Sequence, residues 1–359
     1  MSVHSTHKSS RRGVVAVLFL FLLIPLLGLL ALAVDYGYLL YVRTDLQRTA
    51  DQAALAAVRD LIPEADGSQN LAAVHATIDE YVDANVPGLL VNTSDIVIGR
   101  YDPATIYNSV DILNTGVFDT VQLTLRRDDL ANASVSLFFA RLLGVDQQGI
   151  AVTATAVLQK ARYLHDGADI LPFSIPQAVW DAKAPGDEFS IYGDGRMFDQ
   201  NGSQIPGNWG TLDIGNSSNS ASELVDQINN GLRQEDLDAL HSDGTITTNE
   251  QIDSQSDMWL NGDTGLSAGL KSAVQDAHGD TKLVPIFDTT NAAPGGNMDM
   301  HIVGWGVVKV VDSYWKGNKK SWLDIQKTYL YDGDLRANLR LDETGDIIEN
   351  AFTAPVLVE

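Results

Sequence analysis

Residues 14–34, which read VVAVLFLFLLIPLLGLLALAV, form one uncharged apolar run of 21 residues. About 20 residues in a helix cross the ~30 Å hydrocarbon core of a bilayer. Lys8, Arg11 and Arg12 precede the run, and the first 34 residues contain no acid. Because positive charge stays on the cytoplasmic side, the sequence predicts a transmembrane helix with residues 1–13 in the cytoplasm and the remainder outside.

The helical pattern continues beyond the apolar run. Apolar and small residues recur at spacings of three and four and make one narrow stripe, whose members are Leu39, Val42, Leu46, Ala50, Ala53 and Ala57. Pro63 sets the latest end, so we predict a helical stalk over residues 35–62. Small residues let another helix approach closely. The stripe packs either on the protein's own first domain, which we take as the default, or on a separate helix.

A cleaved signal peptide is the alternative to a permanent anchor. Ala31-Leu32-Ala33 offers a small-residue cleavage site behind a basic N-terminus. The apolar run is longer than the usual 7–15-residue apolar region of a signal peptide. It contains Pro25, and proline is common in membrane helices. We therefore expect a permanent anchor, and a secreted binding or adhesion module released after Ala33 is the second hypothesis.

The composition excludes several functions for the 359-residue chain. It has 24 Lys+Arg against 47 Asp+Glu and a net charge of −23, which argues against nucleic acid as a partner. There is no Cys, hence no disulfide, thiolate metal site or Cys nucleophile. Hydrophobic residues make up 45% of the chain, which is typical of a globular protein.

Outside the membrane we predict an α+β class with two parts. A small α+β domain over residues 63–163 has helices at 70–85 and 134–143 and strands at 96–98, 110–112, 121–125 and 150–158. A β-rich domain over residues 164–359 follows. Its predicted strands are 188–192, 211–214, 282–287, 301–311, 328–331 and 335–341, with a hairpin loop at 342–345. Its predicted helices are one after a capping box at Ser220-Ala221-Ser222-Glu223 and one over residues 266–277.

Two motifs have the spacing of known catalytic or metal-binding sequences. Gly265-Leu266-Ser267-Ala268-Gly269 matches the G-x-S-x-G of hydrolases, with Asp288 and His301 following in the hydrolase order. The preceding residues 261–264 read as a polar loop rather than the buried strand that the motif requires. A periplasmic serine hydrolase using Ser267 is therefore a remote alternative, and we assign no catalytic residue.

The second motif, residues 239–250, resembles a calcium-binding EF-hand loop with Gly244 at position six and Glu250 at position twelve. Positions one and three hold Ala239 and His241, where oxygen ligands are needed. An ordinary turn at Asp243-Gly244 explains the stretch better. We predict no metal site, no cofactor and no small-molecule substrate.

The N-terminal part resembles the TadE/TadG-like proteins of Tad (Flp) pilus assembly. The resemblance rests on Arg11-Arg12-Gly13, the apolar run, Asp35-Tyr36-Gly37 at its exit, and the stretch LQRTADQAALAA at 46–57. The segment LFFARLLGV at 137–145 and the strand after it are similar to a second segment of such proteins. Looser similarities lie at 207–213, 283–288 and 301–306.

The resemblance implies a single-pass protein of the bacterial inner membrane with a periplasmic body. It would be a non-enzymatic structural or accessory component whose partners are the lipid bilayer and other Tad pilus components or pseudopilins. The residues expected to serve the anchor and helix packing are Arg11, Arg12, Gly13, Pro25, Asp35, Gly37, Leu46, Ala50, Asp51, Ala53 and Ala57. Processed prepilins carry a Glu five residues after a Gly cleavage site, whereas Leu18 stands five residues after Gly13, so we do not predict such processing.

Overall fold

A computed structural model gives the fold of the chain. The residues that it describes are 12–101, 110–111, 117–199, 201–202, 204–205, 210–215, 220–248, 250–252, 258–264, 266, 268–292, 298–317, 320–332 and 348–358. The chain divides into two compact units. The first unit comprises Met1–Ala54, Thr77–Val97 and Gln122–Thr155, and the second comprises Leu55–Ala76, Ile98–Val121 and Ala156–Glu359.

The longest element is α1, a helix of 46 residues that runs without interruption through the apolar run and into the predicted stalk. At 1.5 Å per residue it is about 70 Å long. The α-helices are α1 (Arg12–Ala57), α2 (Leu71–Asn85), α3 (Gln177–Asp181), α4 (Ala221–Asn230), α5 (Gln234–Ser242) and α6 (Lys271–Asp276). Short 3-10 helices occupy Val58–Leu61, Thr93–Asp95, Ala140–Leu143 and Ala268–Leu270.

The first ten strands lie before residue 206. They are β1 (Ile96–Tyr101), β2 (Val110–Asp111), β3 (Thr120–Arg127), β4 (Val135–Ser136), β5 (Gln147–Gln148), β6 (Ile150–Lys160), β7 (Ile175–Pro176), β8 (Glu188–Tyr192), β9 (Met197–Asp199) and β10 (Gln204–Ile205). The remaining strands are β11 (Gly210–Leu212), β12 (Met258–Thr264), β13 (Thr281–Ala292), β14 (Met298–Tyr314), β15 (Trp322–Lys327), β16 (Leu330–Tyr331), β17 (Ile348–Glu349) and β18 (Ala351–Val358).

These strands form three sheets. A six-stranded sheet has the order β16-β18-β6-β3-β1-β2, and β4 and β5 form a separate hairpin. A ten-stranded sheet has the path β10-β9-β8-β15-β14-β12-β11. Two further strands, β13 and β17, also pair with β14, and β7 pairs with β13. The architecture is therefore α+β with a β-rich C-terminal part, as the sequence predicts.

The second unit buries both faces of its ten-stranded sheet. Leu283 on β13 and Val307 on β14 belong to one apolar cluster, which also contains Leu237 of α5. The next residues along each strand, Val284 and Val308, belong to another cluster with α4 and α6. Because successive side chains of a strand point to opposite faces, the sheet separates two layers of core.

A close approach in this core requires glycine. Gly306 on β14 lies opposite Val284 of β13, and a Cβ atom at residue 306 would overlap the indole ring of Trp180. Trp180 is 1% exposed and belongs to the same cluster as Val284. The large ring of α3 therefore packs directly on the backbone of the central strand.

Most of the predicted elements are confirmed. The structure has α1 and α2 where the periodicity indicates helices, and β1, β3, β6, β8, β13 and β14 where strands are predicted. Ser220 caps α4 by accepting a hydrogen bond from the amide of Glu223 at 3.3 Å. The predicted strand over 335–341 and the hairpin loop over 342–345 lie outside the described residues.

Two predictions about local structure are wrong, and one helix is not predicted from the sequence. Residues 134–143 are not a regular helix, because β4 pairs with β5 and only Ala140–Leu143 is a 3-10 turn. Residues 261–264 are not a loop but the end of β12, which is held between β11 and β14. The helix that is not predicted is α5, in which the stretch 239–250 begins. The turn predicted at Asp243-Gly244 is present, with Gly244 at φ +82°.

Candidate functional site: the exit of the apolar run

Asp35, the first residue after the apolar run, makes the central contact of the first unit. Its side chain is 3% exposed. Oδ1 accepts a hydrogen bond from the amide of Phe138 at 2.8 Å, and Oδ2 accepts from Phe139 at 2.9 Å and Ala140 at 2.6 Å. One carboxylate therefore captures three consecutive amides 103 to 105 residues later in the chain.

The environment keeps the Asp35 carboxylate charged. Burial alone would raise its pKa, but the three amide hydrogen bonds and the nearby charge of Arg141 outweigh burial and hold the pKa below the ordinary 3.8. Hydrogen bonds to a charged acceptor are shorter and stronger than neutral ones. Because the folded pKa is depressed, the stability from this contact is present above pH 3.8 and is lost as the pH falls through the folded pKa.

The captured segment forms a tight turn against the helix. The ring of Phe138 meets Tyr38 of α1 edge to face, with centroids 5.2 Å apart. The 3-10 turn ends at Gly144, whose φ of +87° is a conformation that glycine adopts readily. The amide of Val145 then donates to the carbonyl of Ala140 at 3.1 Å. The turn is thus closed at both ends by hydrogen bonds.

An apolar cavity of about 450 Å³ lies between this turn and the apolar run. Residues of both elements line it: Leu27, Gly28, Leu30, Ala31, Val34, Phe139 and Leu142. No charged residue is among them, so the cavity is suited to hydrocarbon rather than to a polar ligand.

From Val42 onward, the stripe of α1 is buried within the chain itself. Leu46 is 1% exposed, and Ala50, Ala53 and Ala57 are fully buried. Beside the stripe, the Gln47 amide donates to Asp51 Oδ1 at 2.8 Å and to the carbonyl of Thr153 on β6 at 3.2 Å. This placement supports packing on the protein's own folded part.

The other predicted residues of the anchor lie along α1. Arg12 and Gly13 begin the helix, Pro25 lies within it, and Gly37 is exposed with open space around its Cα atom. Arg11 lies outside the described residues. The stretch Val17–Leu61 is long and apolar enough to cross a membrane, and none of its apolar window is buried by the rest of the described chain.

The structure describes only part of the hydrolase motif and of the calcium-like loop. His301 Nδ1 lies 2.8 Å from Asp288 Oδ1 on the neighbouring strand, whereas Ser267 lies outside the described residues. Positions one to four of the calcium-like loop, residues 239–242, are helical. Across the described ranges, no group of three or more His, Asp or Glu side chains is placed to hold a metal ion.

Two contacts do not follow from the sequence. Asp35 and the segment at 137–145 both belong to the resemblance, but no sequence pattern pairs them. The second contact is that of a buried cation in the second unit, where Lys327 is 4% exposed at the side chain, with its ammonium 4.2 Å from the centre of the Trp180 ring and 3.2 Å from Glu349. A single Lys in an alternating strand gave no signal for that contact.

Comparison with known families covers the part of the chain that contains this site. Residues 13–60 match a family model described as putative Flp pilus-assembly TadE/G-like, and residues 56–156 match one described as putative Tad-like Flp pilus-assembly. No curated protein and no solved structure matches the chain. Asp35 and the amides that it binds both fall within the matched region.

Proposed function

We propose, on the premise that residues 13–156 are those of a Tad-like Flp pilus-assembly protein, that the chain is a membrane-anchored structural or accessory component of a Tad (Flp) pilus or a related secretion system. It acts without catalysis, through helix packing and contacts with other pilus components or pseudopilins. The observation that carries the proposal is the Asp35 contact, which joins the exit of the apolar run to the folded part within the matched region.

The proposed arrangement has five parts along the chain. Residues 1–13 are cytoplasmic, 14–34 span the inner membrane, and 35–62 form the stalk. Residues 63–163 are a pilin-like domain and 164–359 a β-rich domain, both in the periplasm. Lys8, Arg11 and Arg12, which lie just before the apolar run, support this orientation.

The function is tested by deleting the gene in its own bacterium and counting surface pili by electron microscopy. We expect pili to be lost and to return with the wild-type gene. Asp35→Asn weakens the capture of the three amides and is expected to restore fewer pili, whereas Asp45→Asn on the same helix serves as the matched control and restores them. Wild-type pilus numbers in the deletion strain would contradict the proposal.

Two further measurements separate the alternatives. A C-terminal fusion to a reporter that works only outside the cytoplasm is expected to be active. The full-length chain is expected to stay in membranes that have been washed with carbonate. A mature protein that begins at Val34 and leaves the membrane would support the secreted adhesion module. Failure of Ser267→Ala to restore pili, with the protein at its normal level, would support the hydrolase.

A further inference from the structure

An unusual apolar surface lies on residues 138–145, which we call the foot. Five of its eight residues have apolar and exposed side chains: Phe138 (58%), Phe139 (42%), Leu142 (82%), Leu143 (73%) and Val145 (46%). Single exposed apolar side chains are common on soluble proteins, but a contiguous group marks a surface that another phase or molecule covers. The foot contains no acidic residue, although the chain as a whole has 47.

The position of the foot along α1 indicates what covers it. Phe139 and Leu142 line the apolar cavity together with Leu27 and Leu30 of the helix. Leu27 precedes Asp35 by eight residues, which is about 12 Å along the helix axis. One leaflet of hydrocarbon is about 15 Å thick. If residues 14–34 span the membrane, the foot therefore turns back from Asp35 into the outer leaflet.

The backbone of the foot is prepared for an apolar medium. Unsatisfied amides are costly in hydrocarbon, so irregular backbone normally stays out of it. Here Asp35 accepts from the amides of Phe138, Phe139 and Ala140. The amides of Leu142 and Gly144 donate to carbonyls three residues earlier, at 2.9 and 3.1 Å. The turn can therefore enter lipid with these amides already hydrogen-bonded.

The one charged side chain of the foot is compatible with this position. Arg141 is exposed, and its Nε donates to the carbonyl of Leu137 at 3.0 Å. A long basic side chain can cover apolar surface with its stem while its charged end reaches the headgroups. The foot thus has the composition of an interfacial segment, with aromatic and aliphatic side chains around one arginine.

We propose that the foot is a second membrane contact, inserted into the outer leaflet of the membrane that α1 spans, with lipid acyl chains filling the cavity between Leu142 and the helix. The inference rests on the proposed anchoring of α1. Its consequence is that the protein is fixed to the bilayer at two points, which sets the depth of Asp35 and the rotation of α1 relative to the membrane.

The absence of native cysteine allows a direct test with the full chain. Single-cysteine variants Leu142→Cys, Leu29→Cys and Gln52→Cys are labelled with an environment-sensitive fluorophore and reconstituted in phosphatidylcholine vesicles. Leu29 lies in the apolar run, is 66% exposed and does not line the cavity, so it is the lipid reference. Gln52 is exposed on α1, about 25 Å beyond Asp35 along the helix axis, and is the aqueous reference.

We expect the label at residue 142 to be quenched by doxyl-labelled lipid to the same extent as the label at residue 29, and to resist aqueous iodide. Iodide quenching at residue 142 that equals quenching at residue 52 would overturn the foot. Shielding from both quenchers would mean that protein covers it, and would also overturn the proposal. If residue 29 is not quenched by lipid either, the anchoring of α1 fails as well. The label at residue 29 therefore distinguishes failure of the foot from failure of the anchor.

Discussion

Replacing Ala53 by leucine tests the buried stripe of α1. Ala53 is 0% exposed within the single chain, so the three added carbon atoms have no open surface to occupy. Overpacking of a closed core position typically costs ~1–3 kcal/mol. In domains of about 150–250 residues each kcal/mol lowers Tm by roughly 2–4 °C, and larger folded parts shift less, so we expect a decrease of at most about 12 °C.

The measurement is thermal unfolding of the full chain in detergent micelles, followed by circular dichroism in the helical region of the spectrum. Ala72→Leu is the matched control, because it is the same substitution at an exposed position of α2. The control is expected to shift the free energy of unfolding by less than about 0.5 kcal/mol, as surface substitutions usually do.

Two outcomes would refute the reasoning. If Ala53→Leu unfolds at the wild-type temperature but no longer co-purifies with other pilus components, the stripe contacts a partner helix rather than its own domain. If neither stability nor association changes, the small residues of the stripe have no packing role.

Three other predictions concern the second unit. Gly306→Ala should lower the free energy of unfolding by about 1–3 kcal/mol in urea titrations followed by Trp fluorescence, because the new Cβ overlaps the Trp180 ring. Burial, followed by repulsion from neighbouring carboxylates, raises the pKa of Asp213 to about 6. The wild type therefore gains stability as the pH falls from about 6 to about 4, so Asp213→Asn should raise Tm near pH 7.5 and lose this advantage by about pH 4. Millimolar calcium should leave Tm unchanged, since Ala239 provides no side-chain oxygen at the first position of the calcium-like loop.

Each of these predictions has its own control. The cost of Gly306→Ala should shrink in a Trp180→Leu background, and an equal cost in both backgrounds would show that the ring is not the obstacle. Asp280→Asn, at an exposed position, should not reproduce the pH-dependent gain of Asp213→Asn. A rise in Tm with calcium that Glu250→Ala abolishes would restore the calcium interpretation of 239–250.

The sequence predicts those elements whose side-chain pattern is set locally. α1 follows from an apolar run joined to a stripe at helical spacing, and β3 from the alternation of Val121, Leu123 and Leu125, all of which are buried. Between Asn261 and Thr264, however, the strand β12 is polar. Its backbone pairs with β11 and β14, and the Asn261 amide donates to Asp299 across the sheet at 2.8 Å, so the strand depends on distant partners rather than on its own hydrophobicity.

The contact between Asp35 and residues 138–140 also depends on distant partners rather than on a local pattern. Residues 134–143 have the composition of a helix, but an unbroken helix would use the amides of Phe138, Phe139 and Ala140 internally. Asp35 instead takes all three, from more than 100 residues away. Sequence identified both partners as notable positions, yet nothing in the local pattern of either indicates that they meet.

The long separation between α1 and its partners also matters for biosynthesis. Asp35 and Gln47 bind groups that are 103 to 106 residues later in the chain. At about 5–20 residues per second, the ribosome needs roughly 5–20 s to make that interval. During this time the growing chain carries an incompletely covered helix with an unbound carboxylate and a bare row of alanines. Synthesis of this protein therefore includes an interval in which chaperones or other nascent chains can reach a surface that the finished fold conceals.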